Sequence, residues 1–132
     1  MTKKEWKGLT EYQRDRVKKM VLPGHKEAAK RARAYASEHN LKIKGAILFA
    51  YRNHDKFSRG AYKKAFFYQT GKPYRDWHCD PRAEVENSFG FGIWPEGNTP
   101  VAVPIKDFVV AVNRDDGKAR VLAFKVITRA DA

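Results

Sequence analysis

The chain of 132 residues has one cysteine and no long apolar run. Because Cys79 is alone, it cannot form an internal disulfide, and the fold must be held by its hydrophobic core. No stretch approaches the roughly 18 consecutive apolar residues that a membrane-spanning helix needs. The charged first residues also lack the apolar stretch of a secretory signal. These absences exclude disulfide scaffolds and membrane-spanning proteins, and they predict a cytoplasmic protein without a membrane partner.

The sequence also lacks the short motifs of nucleotide cofactor sites and of common RNA-binding modules. It has no glycine-rich phosphate loop ending in Gly-Lys-Ser/Thr, no dinucleotide fingerprint and no Gly-x-x-Gly clamp. Residues 88–93 share only an alternation of Gly and Phe with the signature of the four-stranded RNA-binding sheet. His78, Cys79 and Asp80 are contiguous, whereas the zinc ligands of one pair usually stand two to four residues apart. We therefore expect no cofactor and no metal site.

Positive charge is what the chain has in excess, with 27 Lys and Arg against 15 Asp and Glu and a net charge of +12. Residues 1–66 hold 18 of these cations and 6 of the acids, whereas residues 67–132 hold nine of each. The whole surplus therefore lies in the first half of what we predict to be a single domain. Such an asymmetry favours a polyanionic partner for the basic half.

The first well-marked helix begins at a capping box. Thr10 and Gln13 have the spacing at which each side chain accepts the other's backbone N–H. The helix is expected to end near Val21, because Leu22-Pro23-Gly24 disfavours its continuation. Its apolar positions predict an inward face at Val17, Met20 and Val21.

A second helix is predicted over His25–His39, with Asn40 as its C-terminal stop. Small and aromatic residues recur at three- and four-residue steps on the predicted inward face: Ala28, Ala32, Tyr35 and Ala36. An antiparallel helical hairpin is favoured over a DNA-reading helix-turn-helix, because short turns between packed helices are common.

The rest of the sequence favours β-structure. Residues 43–51 are apolar on both faces, which is typical of a central strand, and residues 88–94 alternate with glycine. Pro100 and Pro104 predict an edge or irregular role for residues 101–103.

The clearest β-signal is near the C-terminus. Residues 108–113 and 119–128 flank Asp116-Gly117, which predicts a hairpin. The predicted fold class is therefore α+β, with an N-terminal helical hairpin packed on a mostly antiparallel sheet.

The candidate binding residues combine cations, which follow phosphates, with aromatic rings, which stack on bases. The candidate phosphate-contacting cations are Lys26, Lys30, Arg31, Arg33, Arg52, Lys56, Arg59, Lys63 and Lys64. The candidate stacking rings are Tyr51, Tyr62, Tyr68 and Trp77, which, like Tyr74, have polar neighbours and are expected to be exposed. Core positions are expected instead for Phe49, Phe66, Phe89 and Phe91. These residues predict a small nucleic-acid-binding protein and favour RNA or single strands over duplex DNA.

Two other functions are compatible with the sequence. A metal-independent nuclease would use His54 and His78 as acid and base, with Arg52, Lys56 or Arg75 stabilising the phosphate. Nothing in the sequence places these two histidines side by side. Alternatively, an interaction or inhibitor protein would dock the basic half on an acidic protein partner. Binding without catalysis is the preferred interpretation.

Overall fold

Three α-helices precede two antiparallel β-sheets in the computed structural model, which describes residues 1–55 and 67–132. The helices within these ranges are α1 (Lys3–Lys7), α2 (Glu11–Lys18) and α3 (His25–His39). The strands are β1 (Ile43–Lys44), β2 (Ile47–Arg52), β3 (Pro73–Arg75), β4 (Phe91–Ile93), β5 (Thr99–Pro104), β6 (Phe108–Ala111), β7 (Ala119–Val121) and β8 (Ala123–Val126). The predicted α+β class, with helices first and antiparallel strands after them, is confirmed.

The capping box predicted at the start of α2 is confirmed, but the helix ends earlier than predicted. Thr10 Oγ1 accepts from the Gln13 N–H at 3.1 Å, and Gln13 Oε1 accepts from the Thr10 N–H at 2.9 Å. Val17 is buried, but the helix ends at Lys18 and Val21 is 82% exposed. The inward position predicted for Val21 is wrong because the helical phase is lost three residues before it.

Helix α3 has the predicted bounds and the predicted buried face, which consists of Ala28, Ala32, Tyr35 and Ala36. It packs against β6 and against the short 3-10 turn Ile105–Asp107. The Tyr35 ring lies 5.2 Å from the ring of Phe108, and its hydroxyl donates to the Gly117 carbonyl at 2.6 Å. Asn40 ends the helix in the left-handed conformation. The helix therefore supports the loop between β6 and β7.

The strands form a five-stranded sheet of order β1-β2-β5-β8-β3 and a three-stranded sheet of order β4-β7-β6. The predicted strand 43–51 is divided into β1 and β2, because Gly45 adopts a φ of +62° and reverses the chain. The two sheets meet where Tyr51 and Trp94 exchange backbone hydrogen bonds at 2.9 and 2.8 Å.

Strand β5 corrects the prediction of an edge or irregular role for residues 101–103. It lies between β2 and β8 and its residues 101–103 are buried. The prolines are tolerated because β5 pairs with β8 only at Val101 and Ala102, so neither proline nitrogen is needed as a donor there. Pro100 instead accepts a hydrogen bond from the Ile127 N–H at 3.1 Å.

The predicted C-terminal hairpin is confirmed in the antiparallel pairing of β6 with β7. The predicted strand 119–128, however, is divided at Leu122 into β7 and β8, which belong to different sheets. The Leu122 N–H donates to the Asp107 carbonyl at 2.9 Å, outside both ladders. This bend carries the chain from the three-stranded sheet to the five-stranded one.

Overpacking the face of α3 should destabilise the fold. Ala32 is fully buried, so Ala32→Leu is expected to lower the free energy of unfolding by about 1–3 kcal/mol. Ala34→Leu is the matched control, since Ala34 is exposed on the same helix and its substitution should change stability by less than about 0.5 kcal/mol. Urea denaturation measures both. Equal stability of the two variants would contradict the packing of α3.

Candidate functional site

A cavity of about 410 Å³ opens where the end of β2, residues 87–94 and residues 114–120 meet. Its cationic lining residues are Arg52, Arg114, Lys118 and Arg120. Its aromatic lining residues are Tyr68, Phe91 and Trp94. Among the described residues that line it, Asp116 is the one carboxylate. We call it the cationic cavity.

Arg52, the last residue of β2, is buried in the wall of the cationic cavity, with 8% of its surface exposed. Its Nε donates to His54 Nε2 at 3.0 Å, and its Nη1 donates to the Gly92 carbonyl at 2.6 Å. Its guanidinium carbon lies 4.6 Å from the ring centroid of Phe124 and 5.0 Å from that of Tyr68. Within residues 1–55 and 67–132 it forms no ion pair with a carboxylate. Burial lowers the pKa of Arg52.

His54 is held so that it accepts from this guanidinium. Its ring stacks on the Tyr68 ring with centroids 4.7 Å apart and an interplanar angle of 12°. Asn98 fixes its backbone, since Asn98 Oδ1 accepts from the His54 N–H at 2.9 Å and Asn98 Nδ2 donates to the His54 carbonyl at 2.8 Å. Burial, together with the positive charge of Arg52, lowers the pKa of His54 to about 4. The imidazole is therefore neutral at pH 7, with its proton on Nδ1.

Lys118 and Asp116 form the opposite wall. Lys118 Nζ donates to the Glu86 carbonyl at 2.8 Å and to Asn87 Oδ1 at 3.1 Å. Burial, followed by repulsion from neighbouring arginines, lowers the pKa of Lys118. Asp116 Oδ2 accepts from Trp94 Nε1 at 3.0 Å and from Arg114 Nη2 at 2.7 Å, so this carboxylate is engaged by the cavity wall itself.

Arg120 is a structural cation. It is 1% exposed and donates to three backbone carbonyls, those of Asp80, Arg82 and Val85. It forms no ion pair in the described part of the chain. By satisfying these carbonyls, Arg120 holds residues 80–85 against β7.

The predicted basic residues of α3 divide into two groups. Lys26, Lys30 and Arg33 are exposed on the outer face of the helix, opposite the face that packs on β6. Arg31 instead donates to the Val109 carbonyl at 2.7 Å and to Glu27 Oε1 at 3.2 Å, so it anchors α3 to β6. Several predicted residues lie outside the described ranges: Lys56, Arg59, Tyr62, Lys63, Lys64 and Phe66.

The predicted exposure of the aromatic rings is only partly correct. Tyr68 and Tyr74 are buried, contrary to expectation, because the Tyr68 ring is enclosed by His54 and Arg52 and the Tyr74 hydroxyl accepts from the Gln69 N–H at 2.6 Å. Trp77 is 50% exposed and packs edge-on against Trp6, and Tyr51 is half-buried. Three of the rings expected in the core are only half-buried: Phe49, Phe89 and Phe91.

The two histidines of the nuclease hypothesis lie in different surroundings. His78 is buried, with its Nε2 3.1 Å from the Val17 carbonyl, its Nδ1 2.8 Å from the Cys79 N–H and its ring against Phe89. None of these residues contacts His54. Arg75, one candidate phosphate-stabilising cation, is paired with Asp107 at 2.8 Å.

Sequence reasoning missed most of the cationic cavity because its cations and Trp94 lie largely in the electrically neutral half. One signal was available in the alternating glycines of residues 88–94, which leave a face without side chains. A Cβ on Gly92 would lie 2.8 Å from Trp94 Cη2 and 3.1 Å from Lys118 Cε. Glycine at this position therefore admits both side chains to the cavity wall.

Comparison with protein-family models, with curated proteins and with solved structures finds no match for this chain. Within the described ranges, no helix combines the length and the apolar character needed to cross a bilayer. Those same residues bring together no group of three or more His, Cys, Asp or Glu side chains suited to a metal ion.

The stability of the fold should depend on pH through His54. The folded-state pKa is about 4, against 6.5 for a free imidazole, so the unfolded chain binds more protons between these values. The contribution of His54 is therefore complete above about pH 6.5 and is lost as the pH falls toward 4. His54→Gln, which keeps an acceptor for Arg52, should flatten this part of the urea-denaturation profile.

His25→Gln is the matched control, because His25 is exposed at the start of α3. It should leave the pH dependence between 6.5 and 4 as in the wild type. An NMR titration of the His54 ring with a midpoint near 6.5 would contradict the buried, arginine-bonded imidazole.

Proposed function

We propose that this chain binds nucleic acid, with a preference for RNA or single strands over duplex DNA. The cationic cavity receives an unpaired part of the strand, and exposed cations of α3 contact phosphates outside it. The observation that carries the proposal is the composition of the cavity wall, in which the described lining residues include four cations, three aromatic rings and one carboxylate that is already hydrogen-bonded.

The electrostatic argument starts from the cost of burying charge. A cation that is removed from water without an opposite charge is destabilised, and an entering phosphate offsets that cost with charge-assisted hydrogen bonds. Arg52 and Lys118 are both buried, and Arg52 is not ion-paired with a carboxylate among the described residues. A phosphate is therefore a favourable occupant of the cationic cavity.

The shape of the site favours unpaired nucleotides. Its rings are recessed, so a base must leave a duplex stack to reach them, whereas single strands present splayed bases at lower cost. Tyr68, which sequence reasoning assigned to stacking on an exposed surface, instead forms part of the cavity wall. Trp94 takes the more accessible position, being half-buried.

The outer face of α3 supplies a second set of contacts. Lys26, Lys30 and Arg33 follow one another at four- and three-residue steps, and none of them is ion-paired in the described part of the chain. A row of this kind follows a phosphate backbone without reading its sequence. This helix also supports the loop of the cavity wall through Tyr35 and Gly117.

The nuclease hypothesis remains a prediction that no contact in the described residues favours. A catalytic acid or base works best with a pKa near the operating pH, and the pKa of His54 is about 4 because of burial and Arg52. Gel analysis of the RNA after each binding measurement tests cleavage directly.

Docking on an acidic protein is tested by pull-down after nuclease treatment, which removes nucleic acid and leaves a protein partner.

Affinity for a labelled single-stranded RNA should fall steeply with salt. Each phosphate contact on a single strand contributes about −0.7 to the slope of log K against log salt, because condensed counterions are released on binding. Fluorescence anisotropy between about 50 and 200 mM salt measures this slope. Affinity that stays constant over that range would refute nucleic-acid binding through phosphates, and tighter binding of a duplex would refute the stated preference.

Removing the three exposed cations of α3 should weaken binding and reduce its salt dependence. Lys26→Ala, Lys30→Ala and Arg33→Ala together should lower the magnitude of the salt slope by about 2, since three contacts are lost. The matched control removes three exposed cations of the other half: Lys72, Lys125 and Arg129. An unchanged slope in the α3 variant would exclude this helix from the interface.

A further inference from the structure

We propose that the cationic cavity holds one phosphorylated nucleoside unit, with the phosphate against Arg52 and Lys118 and the base beside Trp94. The choice of a nucleotide rests on the proposed function. The unit is either a free mononucleotide or one nucleotide of a strand, and both present the same phosphate and base to the wall.

Arg52 supplies an unused donor in the wall. Its Nε and Nη1 are bonded to His54 and Gly92, whereas its Nη2 has no hydrogen-bond partner among the described residues. Arg52 lines the cavity and 8% of its surface is exposed, so a ligand in the cavity can reach this side chain. Because the rest of the side chain is held by two hydrogen bonds and two rings, the donor is fixed in position before any ligand arrives.

Charge around Arg52 favours an anion. Three other cations are among the described lining residues, and Lys118 is repelled by Arg114, Arg120 and Arg52 and attracted by Asp116. The carboxylate of Asp116 is bonded to Trp94 and Arg114 on the wall. A phosphate monoester brings up to two negative charges and several acceptor oxygens, which matches the open donor of Arg52 and the excess of positive charge among the described lining residues.

The other part of the wall suits a base. The Trp94 ring is held in a fixed orientation by its hydrogen bond to Asp116, and Lys118 Nζ lies 5.5 Å from the ring centroid. Asn53, Asn87 and Ser88 place amide and hydroxyl groups at the same cavity. A volume of about 410 Å³ lies near the lower end of the range of small-molecule sites, about 300–1,000 Å³.

The three tryptophans allow a direct test. Trp94 lines the cavity, whereas Trp6 and Trp77 pack against each other and do not line it. We expect titration with AMP to shift the indole N–H signal of Trp94 in a ¹⁵N NMR spectrum and to leave the other two unchanged. Adenosine and inorganic phosphate, each carrying half of the ligand, should bind at least about tenfold more weakly. The indole signal of Trp94 is identified by its absence from the spectrum of Trp94→Phe.

Single-site variants test the phosphate contacts separately. Arg52→Met keeps an unbranched side chain between the rings but removes the donors, and should weaken AMP binding by about 10- to 100-fold. Lys118→Met should have a similar effect. It replaces Arg52→Met as the test variant if thermal unfolding shows that Arg52→Met does not fold. Arg75→Met is the matched control, because Arg75 pairs with Asp107 outside the cavity and should leave AMP affinity unchanged.

The proposal is overturned if AMP leaves the Trp94 signal unchanged, if all three indole signals shift equally, or if folded Arg52→Met and Lys118→Met bind AMP like the wild type. A single-stranded RNA pentamer that shifts the Trp94 signal assigns the cavity to a nucleotide of a strand. If AMP shifts it and the pentamer does not, the ligand is a free nucleotide. RNA binding without any response to AMP would leave nucleic-acid binding standing and remove the cavity from it.

Discussion

The buried guanidinium of Arg52 is the group on which both the sheet packing and the candidate site depend. It lies at the end of β2 in the five-stranded sheet and donates to the Gly92 carbonyl in β4 of the three-stranded sheet. Its face packs on the ring of Phe124, which belongs to β8. One side chain thus connects three strands from two sheets. Because no carboxylate in the described ranges neutralises it, carbonyl, imidazole and ring contacts must offset the cost of burying its charge.

The positive charge of Arg52 helps to lower the pKa values of His54 and Lys118. His54 accepts from Arg52 and is therefore held neutral, with its pKa lowered to about 4 by burial and by the arginine. Lys118, on the facing wall, is buried close enough to several arginines for their charges to oppose its own. No carboxylate of the described residues pairs with Arg52, and an anion would lower the cost of burying its charge. The interactions that join the sheets therefore also position the cations of the proposed anion site.

The positive surplus of the sequence lies in residues 1–66, yet most of the cationic cavity is built from the neutral half. The reason lies in how that half pairs its charges. Asp80 is bonded to Arg82 and Asp107 to Arg75, each at 2.7 or 2.8 Å, so these carboxylates are engaged away from the cavity. Lys118 lies close to Arg52, Arg114 and Arg120 as well as to Asp116, although its half of the chain sums to zero. A local surplus of charge depends on three-dimensional pairing, which a running sum along the sequence does not contain.

Local hydrogen bonds made part of this protein predictable from sequence alone. The capping box of α2, the bounds of α3, its alanine face and the β6–β7 hairpin all depend on residues within a few positions of one another. The central place of β5, the bend at Leu122 and the burial of Tyr68 depend instead on partners 14 or more residues away along the chain. Only the tertiary structure decides these, because the same sequence pattern fits an edge strand, an unbroken strand or an exposed ring until its partner is in place.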